Sequence, residues 1–186
     1  MGIPTLIKAQ TASDSASLDF VDGTADVVLD STYDEYMFVF TDINPATDQA
    51  SFTFQVNATD DPGGGYDTSL ITSTVFQAYH QEDDGAAALS YQTGLDQAQG
   101  SGFQQLMYYM GNGSDESGAG VLHLFNPSST TYVKHFYSRC QVTLSGERSD
   151  DDFIAGYIND TTAIDEISFK MASGNFDGVI QLYGIA

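Results

Sequence analysis

Short apolar segments with an alternating pattern follow one another along the whole chain, and this pattern limits the folds open to it. In residues 51–57, SFTFQVN, every second side chain is apolar, which is typical of a β-strand with one face in water. Residues 36–40, YMFVF, are apolar at every position and indicate a central strand covered on both faces. The pattern therefore predicts a sheet protein.

Strand-like segments of this kind cover residues 5–10, 17–21, 36–40, 51–57, 69–79, 121–125, 131–144, 153–158, 164–171 and 179–185. Turn-forming clusters such as residues 111–118, GNGSDESG, separate them. Residues 92–111 stay ambiguous between a short helix, a small strand and a loop. About ten strands with such loops predict an all-β protein, a single antiparallel jelly-roll-like β-sandwich. The length suits one domain over residues 1–186.

The charge of the chain excludes several classes of partner. It carries 26 acidic and 5 basic side chains, a formal net charge of −21. Nucleic acid binding needs Lys and Arg to displace phosphate counterions, and five basic residues cannot form a basic stripe. An anionic membrane would repel the chain for the same reason, and no apolar run approaches the length of a membrane helix. We therefore expect neither nucleic acid nor membrane as a partner.

The cysteine content and the motifs argue against catalysis. Cys140 is the single cysteine, which suits synthesis in a reducing cytoplasm, and residues 1–8 lack the regions of a signal peptide. Cys140 lies in an apolar strand face, where a thiol is packing rather than a nucleophile. No Gly-x-Ser-x-Gly motif is present. We expect no enzyme.

Acidic clusters in the loops raise the question of Ca²⁺, whose preferred ligands are carboxylate oxygens. Asp60, Asp61 and Asp67 are the candidate ligands, but no cluster has the spacing of a calcium-binding loop. The alternative is that these carboxylates are solvated loop tips. The three histidines are far apart and have no companion at metal-ligand spacing. We expect no metal and no cofactor.

Tyrosines supply a candidate carbohydrate surface, because an amphipathic ring can stack on a sugar. Tyr91, Tyr108 and Tyr109 are the candidates for glycan contact, and the alternative is packing in the core and at its rim. Neighbouring residues of a strand point to opposite faces. We therefore expect one of Tyr108 and Tyr109 to be exposed and the other to face the opposite way.

Nine stretches of the chain carry a resemblance to known proteins, and they are residues 6–13, 18–23, 33–48, 52–57, 78–80, 89–94, 126–131, 164–171 and 173–185. The last of these, SGNFDGVIQLYGI, is the most characteristic. In these stretches the chain resembles a family of short β-rich structural proteins of marine tailed bacteriophages. The resemblance implies a jelly-roll-like component of the capsid or tail, and it carries over no active-site residue.

The resemblance and the composition together favour a non-enzymatic virion structural protein that is assembled in the host cytoplasm. Its most specific form is a capsid decoration, knob or cement protein on the outer shell. The expected partner is the major capsid protein or the tail proteins of the same virion. By analogy alone we expect a homo-oligomer, with a trimer as the first choice.

Residues 1–10 are the candidate anchoring segment, and the alternative is an ordinary first strand. Ile3, Leu6 and Ile7 are apolar, Lys8 is one of the few cations, and no acid precedes Asp14. These features suit docking on an acidic shell, because docking there must avoid charge repulsion.

Two other functions stay open. The first is a tail fibre or receptor-binding module that contacts host glycans through its tyrosines. The second is a lectin-like or hydrolytic secreted protein, which would need a secretion route and a pair of carboxylates that converge in the fold.

We predict that the free energy of unfolding rises with salt. Repulsion among the acidic side chains destabilises the folded state, and the Debye length shortens from ~30 Å at 0.01 M salt to ~3 Å at 1 M. Thermal melts in NaCl over this range measure the effect. A melting temperature that stays constant would contradict the prediction.

Overall fold

The computed structural model describes residues 2–60, 66 and 69–186, and every regular element within them is a β-strand. The strands are β1 (Thr5–Ser15), β2 (Leu18–Val21), β3 (Glu35–Pro45), β4 (Ala50–Ala58), β5 (Ile71–Gln81), β6 (Ala87–Tyr91), β7 (Ala98–Gly100), β8 (Gln104–Met110), β9 (Gly118–Phe125), β10 (Lys134–Leu144), β11 (Arg148–Ile158), β12 (Ile164–Met171) and β13 (Phe176–Ile185). In these residues we find no helix with the length and hydrophobicity needed to cross a bilayer.

The described residues hold thirteen strands, against about ten expected. Each predicted segment contains a strand, and the additions are β6, β7 and β8. All five residues of β6 are exposed, so this strand has no alternating pattern to detect. β7 and β8 lie in residues 92–111, for which the sequence left helix, strand and loop open. β7 is only three residues long, and the pairing of β8 with β4 is interrupted by register shifts.

The strands form a nearly closed antiparallel sandwich of two unequal layers. The large layer has the order β1-β13-β3-β9-β10-β11-β5, and β6 and β7 both pair with the free edge of β5. The small layer has the order β2-β12-β4-β8. Among the strand pairings of the described residues, one pair of positions, Leu144 of β10 with Met110 of β8, joins the two layers.

A cluster of phenylalanine rings fills the space between the layers. The centroid of Phe169, on β12, lies 5.1–6.5 Å from those of five other rings, which are Phe20, Phe38, Phe40, Phe52 and Phe54. Most of these pairs are edge-to-face or tilted, the arrangement that aromatic quadrupoles favour. Cys140 is also buried in this core as expected, and burial raises the pKa of its thiol to about 12.

The expectation of a wet face on β4 is wrong, because every residue of this strand is buried. On the side of β4 that carries Gln55 lie the backbone segments of Ser69 and of Ser101 and Gly102. The amide Nε2 of Gln55 donates to the carbonyl oxygens of Ser69, Ser101 and Gly102 at 3.1–3.2 Å. Its Oε1 accepts from the backbone N–H of Val56. A polar residue at the expected solvent position thus ties a loop to the small layer.

We predict that Gln55→Ala lowers the free energy of unfolding by about 1–3 kcal/mol, because buried carbonyls lose their donor. Gln141→Ala on the exposed side of β10 is the matched control and should change it by less than about 0.5 kcal/mol. Urea denaturation of both variants measures the difference. If both substitutions changed the free energy of unfolding by the same small amount, the Gln55 side chain would face water and the prediction would be wrong.

Candidate functional sites

The predicted anchoring residues belong partly to the first strand, which forms one edge of the large layer. Ile3 and Leu6 are exposed, Ile7 packs against the core, and Lys8 is half-buried. Residues 5–10 are therefore a paired edge strand, and their role in docking stays a prediction.

Leu6 begins a row of side chains that crosses the outer face of the large layer. Strand register places it beside Tyr183, and the row continues through Met37 and His123 to Tyr137. The His123 ring stacks on Tyr137 with centroids 4.5 Å apart. The predicted anchor and the centre of this face are thus one continuous surface.

A second row on the same face is more exposed. Strand register places its members side by side on β10, β11, β5 and β6, and they are Arg139, Phe153, Phe76 and Tyr91. Together with Tyr137, the last residue of the first row, which lies beside them, they form what we call the aromatic face. The rings of Phe76 and Phe153 stack with centroids 4.8 Å apart, and the Arg139 guanidinium lies 4.7 Å above Phe153. Between these side chains runs an almost wholly apolar groove of about 290 Å³.

Arg139, the cation of the aromatic face, is paired with an acid. Its Nη2 lies 2.7 Å from Asp151 Oδ2, and its Nε also donates to this carboxylate. In a chain of net charge −21, the area around Arg139, Phe153 and Phe76 thus has its charges paired, and Asp96 lies only at the Tyr91 edge. Sequence reasoning missed it because Phe76, Tyr137 and Phe153 come from three separate strands, and only their register places them side by side.

The tyrosine candidates divide between two places. Tyr91 lies on the aromatic face, where its hydroxyl donates to Asp96 Oδ2 at 2.6 Å. Tyr108 and Tyr109 lie together on β8, the edge strand of the small layer, with ring centroids 4.3 Å apart. The structure therefore groups only two of the three.

The expectation that Tyr108 and Tyr109 face opposite ways is wrong, because β8 contains a β-bulge there. Its register with β4 shifts on both sides of Phe52, and Tyr109 has a φ of 51°, in the left-handed region. The backbone N–H of Tyr108 donates to Asp152 Oδ2 at 3.1 Å, and that of Tyr109 donates to Ser51 Oγ at 3.3 Å. The bulge turns both rings outward, and Tyr109 is the exposed one.

Two open clefts meet at this tyrosine pair. The first has a volume of about 460 Å³, lies on the outer side of the small layer, and includes Phe103, Gln105 and Lys170. The second has a volume of about 390 Å³ and includes Gln81 and Arg148. Gln49 and both tyrosines line each of them. We call these the tyrosine clefts.

Two buried acids of β11 form hydrogen bonds with residues that line the tyrosine clefts. Asp150 binds the Arg148 guanidinium through both oxygens at 2.6 Å, and this guanidinium lies 4.5 Å from the ring centre of Tyr79. Asp152 accepts from Gln77 Nε2 at 2.7 Å as well as from the Tyr108 N–H. Burial raises the pKa of Asp150, and it raises that of Asp152 to about 6.

Residues 150–152 look like a solvated acidic cluster in the sequence, so the roles of Asp150 and Asp152 were missed. A signal was present: in the alternation of β11 they share a face with Ile154 and Ile158, which are core residues. Charged groups on a core-facing side are costly unless they are paired. Here Arg148, Gln77 and a backbone N–H supply the partners.

The calcium candidates are only partly described. Asp61 and Asp67 lie outside the described residues, and Asp60 accepts from Thr162 Oγ1 at 3.0 Å. The buried ammonium of Lys134 donates to the carbonyl oxygens of Asp160 and Thr162 beside it. Desolvation lowers the pKa of Lys134, against the opposing influence of Asp160 and Asp60. A cation of the protein itself thus occupies this loop, and the described residues include no grouping of His, Cys, Asp or Glu suited to a metal.

No protein-family model, no curated protein and no solved structure matches the chain. Its function is therefore inferred from the surfaces described above.

We predict that Asp152 makes the protein less stable as the pH rises from 4 to 7. Its folded-state pKa of about 6 lies above the unfolded value of about 3.9, so the protonated form favours the fold and this advantage disappears through about pH 6. The loss is about 3 kcal/mol, since each pKa unit corresponds to about 1.4 kcal/mol.

Asp152→Asn cannot ionise, so urea denaturation between pH 4 and 7 should show a flatter pH profile for this variant than for the wild type. Asp115→Asn, at an exposed loop acid, is the control and should keep the wild-type slope. Identical slopes in Asp152→Asn and wild type would refute the assignment.

Proposed function

We propose that the protein is a non-enzymatic structural component of a bacteriophage virion, a decoration protein that docks on the outer shell through the aromatic face. One observation carries the proposal: a highly acidic chain keeps an exposed aromatic area across four strands of its large layer, and the cation at the centre of this area is paired with an acid. Large exposed apolar patches of this kind mark interaction sites on soluble proteins.

The charge of the chain explains why docking would use this area. An acidic surface repels another acidic surface, and desolvating unpaired carboxylates is costly. At the aromatic face Asp151 is already paired with Arg139, and Asp96, at the Tyr91 edge, accepts a hydrogen bond from the Tyr91 hydroxyl. Burying apolar surface there contributes roughly 25 cal/mol per Å² without a charge penalty. Aromatic and Arg side chains are also the residues enriched in the centres of interfaces.

The jelly-roll form of the sandwich is part of the proposal, and the strand order supports it. Eight of the strands can be compared with a jelly roll when β1, β7, β10, β11 and β13 are left out. In chain order these eight strands change between the layers, with β2, β4, β8 and β12 in the small layer and β3, β5, β6 and β9 in the large one. The resulting alternation between layers is that of an eight-stranded jelly roll. The β10–β11 hairpin would then be an insertion between β9 and β5.

The partner in this proposal is the major capsid protein, and the tail proteins of the same virion are the alternative. The row from Leu6 to Tyr137 connects the N-terminal edge to the aromatic face, so both could contribute to one contact. The homo-oligomer, with a trimer as the first choice, stays part of the proposal through analogy with virion proteins.

We predict that the double variant Phe76→Thr/Tyr137→Thr binds virus shells more weakly than the wild type does. The assay uses shells from which the native protein is missing, so that its binding sites are free. Thr is polar and suits a strand, so the variant should remain folded while the apolar contact is removed. Apparent affinity in a co-sedimentation assay should fall at least about tenfold, the effect of losing ~1.4 kcal/mol.

Tyr132→Thr is the matched control, because Tyr132 is 71% exposed and lies outside the aromatic face. Leu6→Thr tests the N-terminal edge without deleting β1. Full occupancy by the double variant would refute docking through this face. Analytical ultracentrifugation tests the alternative that the aromatic face joins copies of this chain. In that case the double variant would no longer self-associate and would still bind the shells.

A further inference from the structure

The tyrosine clefts are unusual in this protein because, among the residues that the structure describes, no acidic side chain lines either of them. The chain has 26 acids and only 5 Lys and Arg, yet each cleft contains one cation, Lys170 in the first and Arg148 in the second. Asp48 reaches the rim, where its carboxylate accepts from Ser145 Oγ at 3.4 Å. The cleft lining therefore favours a neutral or anionic ligand over a cationic one.

Lys170 is available to such a ligand. Its ammonium lies 3.9 Å from the centre of the Phe103 ring, and it forms no ion pair in the described part of the chain. Arg148 differs, because Asp150 already binds its Nε and Nη2. The first cleft therefore offers the stronger site for a negative group.

The tyrosine pair offers a ring surface between the two clefts. The bulge holds Tyr109 in a left-handed conformation that a bulky side chain seldom adopts, and Asp152 and Ser51 fix the two backbone amides. Strain of this kind persists where the surrounding structure imposes it, and it is frequent at binding sites. The result is a pair of fixed aromatic rings at the surface.

Unused amide side chains surround these rings. Gln49, Gln81 and Gln105 line the clefts, and none of their side chains has a hydrogen-bond partner within the described residues. Each amide offers both a donor and an acceptor. Aromatic rings together with such amides match a sugar, which presents an apolar ring face and a rim of hydroxyl groups.

We infer that the tyrosine clefts bind an acidic glycan. A sugar ring stacks on Tyr109, hydroxyl groups bond the Gln side chains, and a carboxylate or sulfate of the glycan pairs with Lys170. This inference is independent of the aromatic face, because the two sites share no residue.

Isothermal titration calorimetry with tetragalacturonate as the probe, and maltotetraose as its neutral counterpart, tests the inference. Measurements at about 0.15 M NaCl limit the long-range repulsion from the protein, since the Debye length is then ~8 Å. We expect tetragalacturonate to bind more tightly. Tyr109→Asn should weaken tetragalacturonate binding at least about tenfold. Asn tolerates the left-handed conformation, so this variant keeps the bulge.

Lys170→Gln should weaken tetragalacturonate binding about tenfold and leave maltotetraose binding unchanged. Tyr132→Ala and Lys8→Gln are matched controls outside the clefts and should behave as wild type. Phe76→Thr/Tyr137→Thr should also retain glycan binding, which separates this test from that of shell docking. Absence of tetragalacturonate binding, or binding that both Tyr109→Asn and Lys170→Gln leave intact, would overturn the inference. If the wild type bound tetragalacturonate and maltotetraose with equal affinity, the clefts would have no preference for an acidic glycan, and that part of the inference would be overturned.

Discussion

The packing of phenylalanine rings between the two layers is the interaction on which the rest of the structure depends. Few backbone hydrogen bonds join the layers, among them those of the Gly111 N–H with Thr143 and of the Ile164 N–H with Pro127, so side-chain burial must hold the layers together. Phe169 provides the centre of this contact and Phe38 and Phe40 provide the opposing surface on β3. The aromatic cluster thereby fixes where the small layer lies over the large one.

The layers differ in width, and the second tyrosine cleft lies where the small layer ends. The large layer continues past the aromatic core through β11 and β5, whereas the small layer ends at β8. At this open end the inward positions of β11 carry Asp150 and Asp152 instead of apolar residues. The two carboxylates hold Arg148 and the Tyr108 backbone, so the polar end of the core supports the cleft walls.

The acidic composition gives the uncharged areas their significance. Most of the surface repels other anions, which supports solubility but leaves few places where a partner can approach without a penalty. The aromatic face is such a place because Arg139 neutralises Asp151, and the tyrosine clefts are another because no acid in the described part of the chain lines them. The proposed shell docking and the inferred glycan binding use different sites, so the two are compatible in one molecule.

The sequence by itself determined the all-β class and ten of the strands, because period-two alternation and turn residues are local signals. It also identified Cys140 as a core residue. Only the tertiary structure decided that Gln55 is buried, that Tyr108 and Tyr109 lie side by side, and that Asp152 supports them. Phe76, Tyr137 and Phe153 likewise form one face only through the pairing of three strands. Strand register, bulges and loop cover depend on contacts between distant segments, and alternation within one segment does not encode them.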